Sequence, residues 1–155
     1  MKEAEQEWLQ GRATLGTATK WTAEEIRLVA ELGYGLAEQG RVAEAIVLFE
    51  GLSVLSPATT YFQSALGALW IRENKPEKAL SYLNQVVQSE PNNVIALVNR
   101  GESFLRLGER AEAIEDFQTA LAFAKSKKDV SENSIEGRCL IRARALLMSM
   151  ENQFI

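Results

Sequence analysis

Histidine is absent from the 155 residues, and cysteine occurs once, at Cys139. Without histidine there is no His-dependent triad, no His-ligated metal and no ordinary proton shuttle near neutral pH. A single thiol excludes an internal disulfide and a cysteine-rich zinc site, and it fits a reducing compartment. Proline is nearly as scarce, at Pro57, Pro76 and Pro91 only. No apolar run approaches the ~18 residues that a membrane span needs, so direct membrane insertion is not expected. The first residues, MKEAEQEWLQGRATLG, show neither a basic n-region nor an apolar h-region, and a cytoplasmic location is the expectation. Lysine and arginine total 17 against 21 acidic residues, for a net charge of −4. They are scattered, so the electrostatic footprint of a nucleic-acid binder is missing. A protein or peptide partner is what these absences leave.

The chain repeats itself. The alanines of AEAI, EKAL and AEAI stand at Ala45, Ala79 and Ala113, 34 residues apart each time, and Gly33, Gly67 and Gly101 keep the same period, as do Pro57 and Pro91. Local signals place helices within each period. Thr22-Ala23-Glu24-Glu25 is a capping box that starts the first helix. Gly40, Asn74 and Gly108 mark helix ends, since Gly and Asn tolerate the left-handed conformation found there. Pro76 fits the first turn of the helix that follows, whereas Pro57 and Pro91 end the second helices. Ala45, Leu48, Phe49, Leu52 and Leu55 form an apolar stripe at helical spacing, repeated by Ala79, Tyr82, Leu83, Val86 and Val87. Core packing accounts for both stripes. Lys125 stands where a third proline would fall, so the last of these helices is expected to run on.

The pattern resembles the tetratricopeptide repeat, a 34-residue helix-turn-helix with the signature W-x2-L-G-x2-Y, A-x3-F, P. The first repeat offers Leu32, Gly33, Leu36, Ala45, Phe49 and Pro57; the second offers Leu66, Gly67, Trp70, Ala79, Leu83 and Pro91. The third offers Gly101, Phe104, Ala113 and Phe117 but has Arg100 at the usual Leu. The resemblance implies an all-α, right-handed solenoid forming one domain over 1–155. Its parts are an amino-terminal helix and linker (1–20), repeats at 22–59, 60–93 and 94–127, and a capping helix at 132–151. Residues 2–12 read as a short helix with Trp8 and Leu9 as its apolar content, and it must dock somewhere to be ordered. The capping helix has Ile135, Cys139, Leu140, Ala143, Leu146, Leu147 and Met150 on one face. Cys139 there reads as a small buried hydrophobe.

Chemistry is hard to find in this pattern. Gly33-Tyr34-Gly35 lies inside a helical repeat and lacks the strand that a dinucleotide fingerprint requires. Glu112, Glu115 and Asp116 read as the solvated side of an amphipathic helix. No enzyme activity, cofactor or metal is expected. Gly33 fits a position where two helices approach closely. Gly35 has no counterpart at Leu69 or Ser103, and close approach or local flexibility beside Tyr34 is the expectation.

In the family that this chain resembles, the first helices of the repeats line a concave peptide-binding groove. Carried across, its groove positions imply Arg27, Ala30, Tyr34, Ala37 and Glu38 in the first repeat, and Tyr61, Ser64, Ala68, Ile71 and Arg72 in the second. The third supplies Ile95, Val98, Asn99, Glu102, Leu105 and Arg106. Only Asn99 matches the Lys and Asn set that family members use to clamp a terminal carboxylate, so no such clamp is expected. Apolar pockets rimmed by Arg27, Arg72 and Arg106 would suit an extended peptide, unless terminal helices or a second subunit cover them. The run LFEGLSVLSPATTYFQSALGAL, Leu48 to Leu69, is similar to the repeat junction of class II chaperones of bacterial type III secretion. That resemblance implies a non-enzymatic chaperone that holds a hydrophobic secreted translocator by a short proline-containing segment. It also implies an amino-terminal helix that contributes to a homodimer, although the sequence leaves monomer and dimer open. The rival is a generic repeat scaffold that joins folded partners.

Overall fold

The structure, a computed structural model, describes residues 21–127 and 130–152. The expected helix over 2–12 lies outside them. Seven helices follow one another among the described residues: α1 (Ala23–Glu38), α2 (Val42–Leu55), α3 (Thr60–Arg72), α4 (Pro76–Ser89), α5 (Val94–Arg106), α6 (Arg110–Ser126) and α7 (Ile135–Asn152). None of them is long and apolar enough to cross a membrane.

Short-range chemistry explains most boundaries. The Thr22 backbone N–H donates to Glu25 Oε2 at 2.7 Å and the Glu25 N–H donates to Thr22 Oγ1 at 3.1 Å, closing the box at α1. The bond from the Thr22 N–H, with a second from the Thr22 hydroxyl to the same oxygen at 2.9 Å, holds the Glu25 carboxyl below its usual range. Gly40, Asn74 and Gly108 adopt φ of 81°, 55° and 82°, the left-handed turn that ends α1, α3 and α5. Asn93 caps α5 by accepting from the Ala96 N–H at 3.0 Å. Without a closing proline, α6 extends to 17 residues, against 14 for α2 and for α4.

Helices pair as α1–α2, α3–α4 and α5–α6, and each pair packs on the next through α2 on α3 and α4 on α5. Helix α7 then lies against both α5 and α6, so the described residues form an all-α solenoid whose last helix is α7. Within each pair a glycine of the first helix meets a large side chain of the second. A Cβ added at Gly33 would sit 2.8 Å from Phe49, at Gly67 2.5 Å from Leu83, and at Gly101 2.6 Å from Phe117. Phe49, Leu83 and Phe117 are fully buried there.

Gly35 differs. Beyond its chain neighbours and the backbone of its own helix, no heavy atom lies within 4 Å of a Cβ built there, so close approach does not explain it. Gly35→Ala should therefore stabilise the fold by about 0.5–1 kcal/mol, the helix-propensity gain alone, as a higher urea midpoint at unchanged slope.

Two readings of polar and apolar faces are corrected. Asp116 is 4% exposed, not solvated, because Arg100 reaches it from α5 in a two-pronged ion pair. The Arg100 Nε donates to Asp116 Oδ2 at 2.8 Å and Nη2 to Oδ1 at 2.7 Å. Asn84 on α4 also accepts from Arg100, at 3.3 Å. The departure from leucine at Arg100 is thus half of a pair that bridges the two helices of the third repeat. Ile135, expected on the buried face of α7, is 62% exposed, for it occupies the first turn, ahead of the residues that pack. Cys139, Leu140, Ala143 and Met150 do pack, with α5 and α6 residues such as Val98 and Phe117. Burial pushes the Cys139 thiol up, against the opposing pull of Arg142 and Arg138, which leaves it a weak nucleophile.

Candidate functional site

The first helices lie side by side, and two aromatic rings mark where α1 meets α3. Tyr34 and Tyr61 have centroids 5.9 Å apart; Tyr34 also meets Phe49 edge-on at 5.0 Å. Tyr61 packs edge-on against Phe62, also at 5.9 Å. Tyr34 is 36% exposed and Tyr61 55%, so each ring offers a free edge above a rigid aromatic base. Burial, followed by a hydrogen bond with Tyr61, pushes the Tyr34 hydroxyl far above its ordinary value and keeps it neutral. Ser64 and Ala68, one and two turns further along α3, are half-buried and small, which leaves room beside the tyrosines.

Other expected residues are placed differently. Ile71 is 6% exposed and belongs to the core formed with Ala79, Leu83, Val86 and Ala96, because α5 packs on α3 over it. Val98 is fully buried because α7 docks on α5 and brings Cys139, Leu140 and Ala143 into its cluster. Neither lines an open surface. Ala30 and Ala37 are buried as well. Ile95 and Leu105 are half-buried at the edge of the α5–α7 core, so they offer partial faces only. Asn99 is 5% exposed and its Oδ1 accepts from Arg142 Nη2 of α7 at 2.6 Å, so it is committed within the fold.

The arginine rim is also in use. Arg72 Nη2 donates to the Ala37 carbonyl at 2.9 Å, and Arg106 Nη1 donates to the Ile71 carbonyl at 2.9 Å. Each arginine thus adds a side-chain donor to a last-turn carbonyl of the preceding first helix that also accepts from the Gly40 or Asn74 N–H, at the end where the dipole favours a cation. Both residues keep the 34-residue period, a signal that the sequence carries but that a groove reading passes over. Arg27 pairs with Glu24 and Glu31 on its own helix. Glu102 is bound by Arg106 at 2.7 Å and by Arg142 at 3.4 Å. Arg142 is the residue that sequence reasoning missed, since only the docking of α7 brings it to Asn99 and Glu102. Glu38 stays exposed at the end of α1. Among the described residues, the face left accessible is therefore narrow, aromatic at Tyr34 and Tyr61, and electrically balanced elsewhere. Among the described residues, no group of three His, Cys, Asp or Glu side chains is placed to hold a metal.

A face of this kind, on a stack of helix pairs with one glycine wedge each, is the architecture of tetratricopeptide-repeat proteins. Residues 60–128 match the tetratricopeptide repeat family model. DnaJ homolog subfamily C member 3 of Bos taurus is 25% identical over 123 residues, which are 77% of this chain and 24% of that protein. The chain thus spans about a quarter of the length of the curated relatives that it matches. Among solved structures, a T3SS complex from Aeromonas hydrophila superposes with a TM-score of 0.81 at 21% identity, covering 98% of this chain and 97% of that one. The type III secretion translocator chaperone SycD of Yersinia enterocolitica gives 0.77 at 18% identity, over 88% of this chain and 98% of SycD. PcrH in complex with the chaperone binding region of PopD gives 0.75 at 20% identity, over 86% and 96% of the two chains. The fold is one that this chain shares with SycD and PcrH.

Proposed function

We propose that this chain is a non-enzymatic chaperone that holds an extended apolar segment of a client protein along α1, α3 and α5, the client being a hydrophobic translocator of a type III secretion system. The observation that carries this reading is the exposed Tyr34–Tyr61 pair above Phe49 and Phe62, with Ser64 and Ala68 leaving space beside it. Rigid aromatic edges next to small residues form sockets for single apolar side chains, and an extended chain presents such side chains at regular intervals. Likeness in fold to PcrH, which was solved in complex with the chaperone binding region of PopD, supports the binding of a client segment by this chain. The protein would work in the cytoplasm and keep its client's apolar surface out of water until export, with homodimerisation through the amino-terminal helix as a further element of this reading.

The test uses a fluorescein-labelled, proline-containing apolar peptide and anisotropy on the full chain. Tyr61→Glu should weaken binding at least about tenfold, a loss of roughly 1.4 kcal/mol, with the far-UV helix signal unchanged. Val54→Glu, at an exposed site on α2, should change nothing. The reverse pattern would favour the scaffold reading, in which folded partners meet the second helices.

A further inference from the structure

We propose that the trough between α6 and α7 is a second docking site, which takes an acidic amphipathic helix of a partner protein. Helix α7 is apolar on two sides. Cys139, Leu140, Ala143 and Met150 face the core, whereas Ile141, Ala145 and Met148, spaced i, i+4, i+7, lie outside it. Ile141 is 51% exposed and Met148 57%. A helix with apolar residues on both sides is ordinarily covered on both. Beside Ile141 the surface sinks into a trough of about 500 Å³ whose apolar lining includes Leu121, Leu140 and Ile141.

Charge identifies the occupant. Residues 121–152 hold six Lys or Arg against four Asp or Glu, while the chain as a whole is acidic. Lys125, Lys127, Arg144 and Glu132 line the trough. Lys127 is paired with Glu136 at 3.3 Å, but Lys125 and Arg144 have no ion-pair partner among the described residues. A ridge of apolar side chains flanked by carboxylates would fill the trough and meet Lys125 and Arg144. A second copy presenting this same face would instead set arginine against arginine. None of these residues belongs to the Tyr34–Tyr61 face, so the site is independent of the client reading.

The probes are two labelled 18-residue peptides with the same Leu/Ile stripe, one flanked by Glu and one by Lys, titrated into the full chain. The acidic peptide should bind at least tenfold tighter, and its affinity should fall several-fold between low salt and about 0.3 M as the exposed cations are screened. Ile141→Glu and Arg144→Glu should each weaken it at least tenfold, whereas Tyr61→Glu should not. Amide exchange on the unmodified chain, which needs no variant, should show new protection across residues 138–148 when the acidic peptide is present. Equal binding of the two peptides, or a response to Tyr61→Glu alone, would overturn the proposal. So would displacement of the peptide by phosphatidylserine vesicles, or a dimer in sedimentation that Ile141→Glu dissolves, since a membrane or a second copy would then be the occupant.

Discussion

Asp116→Ala is expected to cost about 3–5 kcal/mol of unfolding free energy, a large share of the stability of a domain this size. The reason is the arginine left behind. Arg100 has its side chain 22% exposed and Asp116 5%, so removing the carboxylate leaves a guanidinium with Asn84 as its remaining hydrogen-bond partner and only the weaker pull of the exposed Glu115. Loss of the pair would matter far less at the surface, where comparable ion pairs are worth about 0–1 kcal/mol. The second repeat shows how the same space is filled without charge. One period earlier, Leu66 stands at the position of Arg100 and Tyr82 at that of Asp116. Tyr82 directs its hydroxyl at Glu50, one period before Asn84. Arg100→Leu combined with Asp116→Tyr should therefore regain most of the loss, because no charge is buried and the new hydroxyl has Asn84 within reach. Urea unfolding of the two variants checks this. A cost below about 1 kcal/mol for Asp116→Ala would show that water reaches the pair after all.

The contrast between Asp116 and its neighbours shows what could be read in advance and what could not. Capping residues, the left-handed turns at Gly40, Asn74 and Gly108, and the glycine wedges all act over a few residues or recur every 34, so they stand out in a single sequence. Periodicity also assigns a face to each residue, but it does so by counting polar neighbours on one helix. Asp116 sits among Glu112 and Glu115 and takes their assignment, although its partner comes from another helix sixteen residues away. The candidate site was legible to the same extent. Tyr34 and Tyr61 are exposed, since no later element among the described residues packs over them. Ile71 and Val98 occupy equally regular positions, yet α5 covers one and α7 the other. The depth of a solenoid face depends on what stacks next to it, and the place of α7 against α5 is set by contacts such as Arg142 with Asn99, forty-three residues apart, that no local pattern announces.

Phe117→Ala should also cost about 3–5 kcal/mol, since it empties a fully buried ring site at the centre of the third repeat. Gly101→Ala alone should cost about 1–3 kcal/mol, for its methyl would lie 2.6 Å from Phe117 Cε1 and 2.9 Å from Cδ1. Together the two changes should not add. With the ring gone the methyl meets empty space, and the helix regains the roughly 1 kcal/mol by which Ala exceeds Gly in a helix interior. Gly101→Ala should thus change sign, destabilising the natural chain and stabilising the Phe117→Ala variant, with a coupling energy of at least about 1.5 kcal/mol in a double-mutant cycle. Additive costs would mean that Gly101 serves the backbone of α5 itself. A reversal of sign would show that the glycine period exists because a large second-helix side chain needs that space.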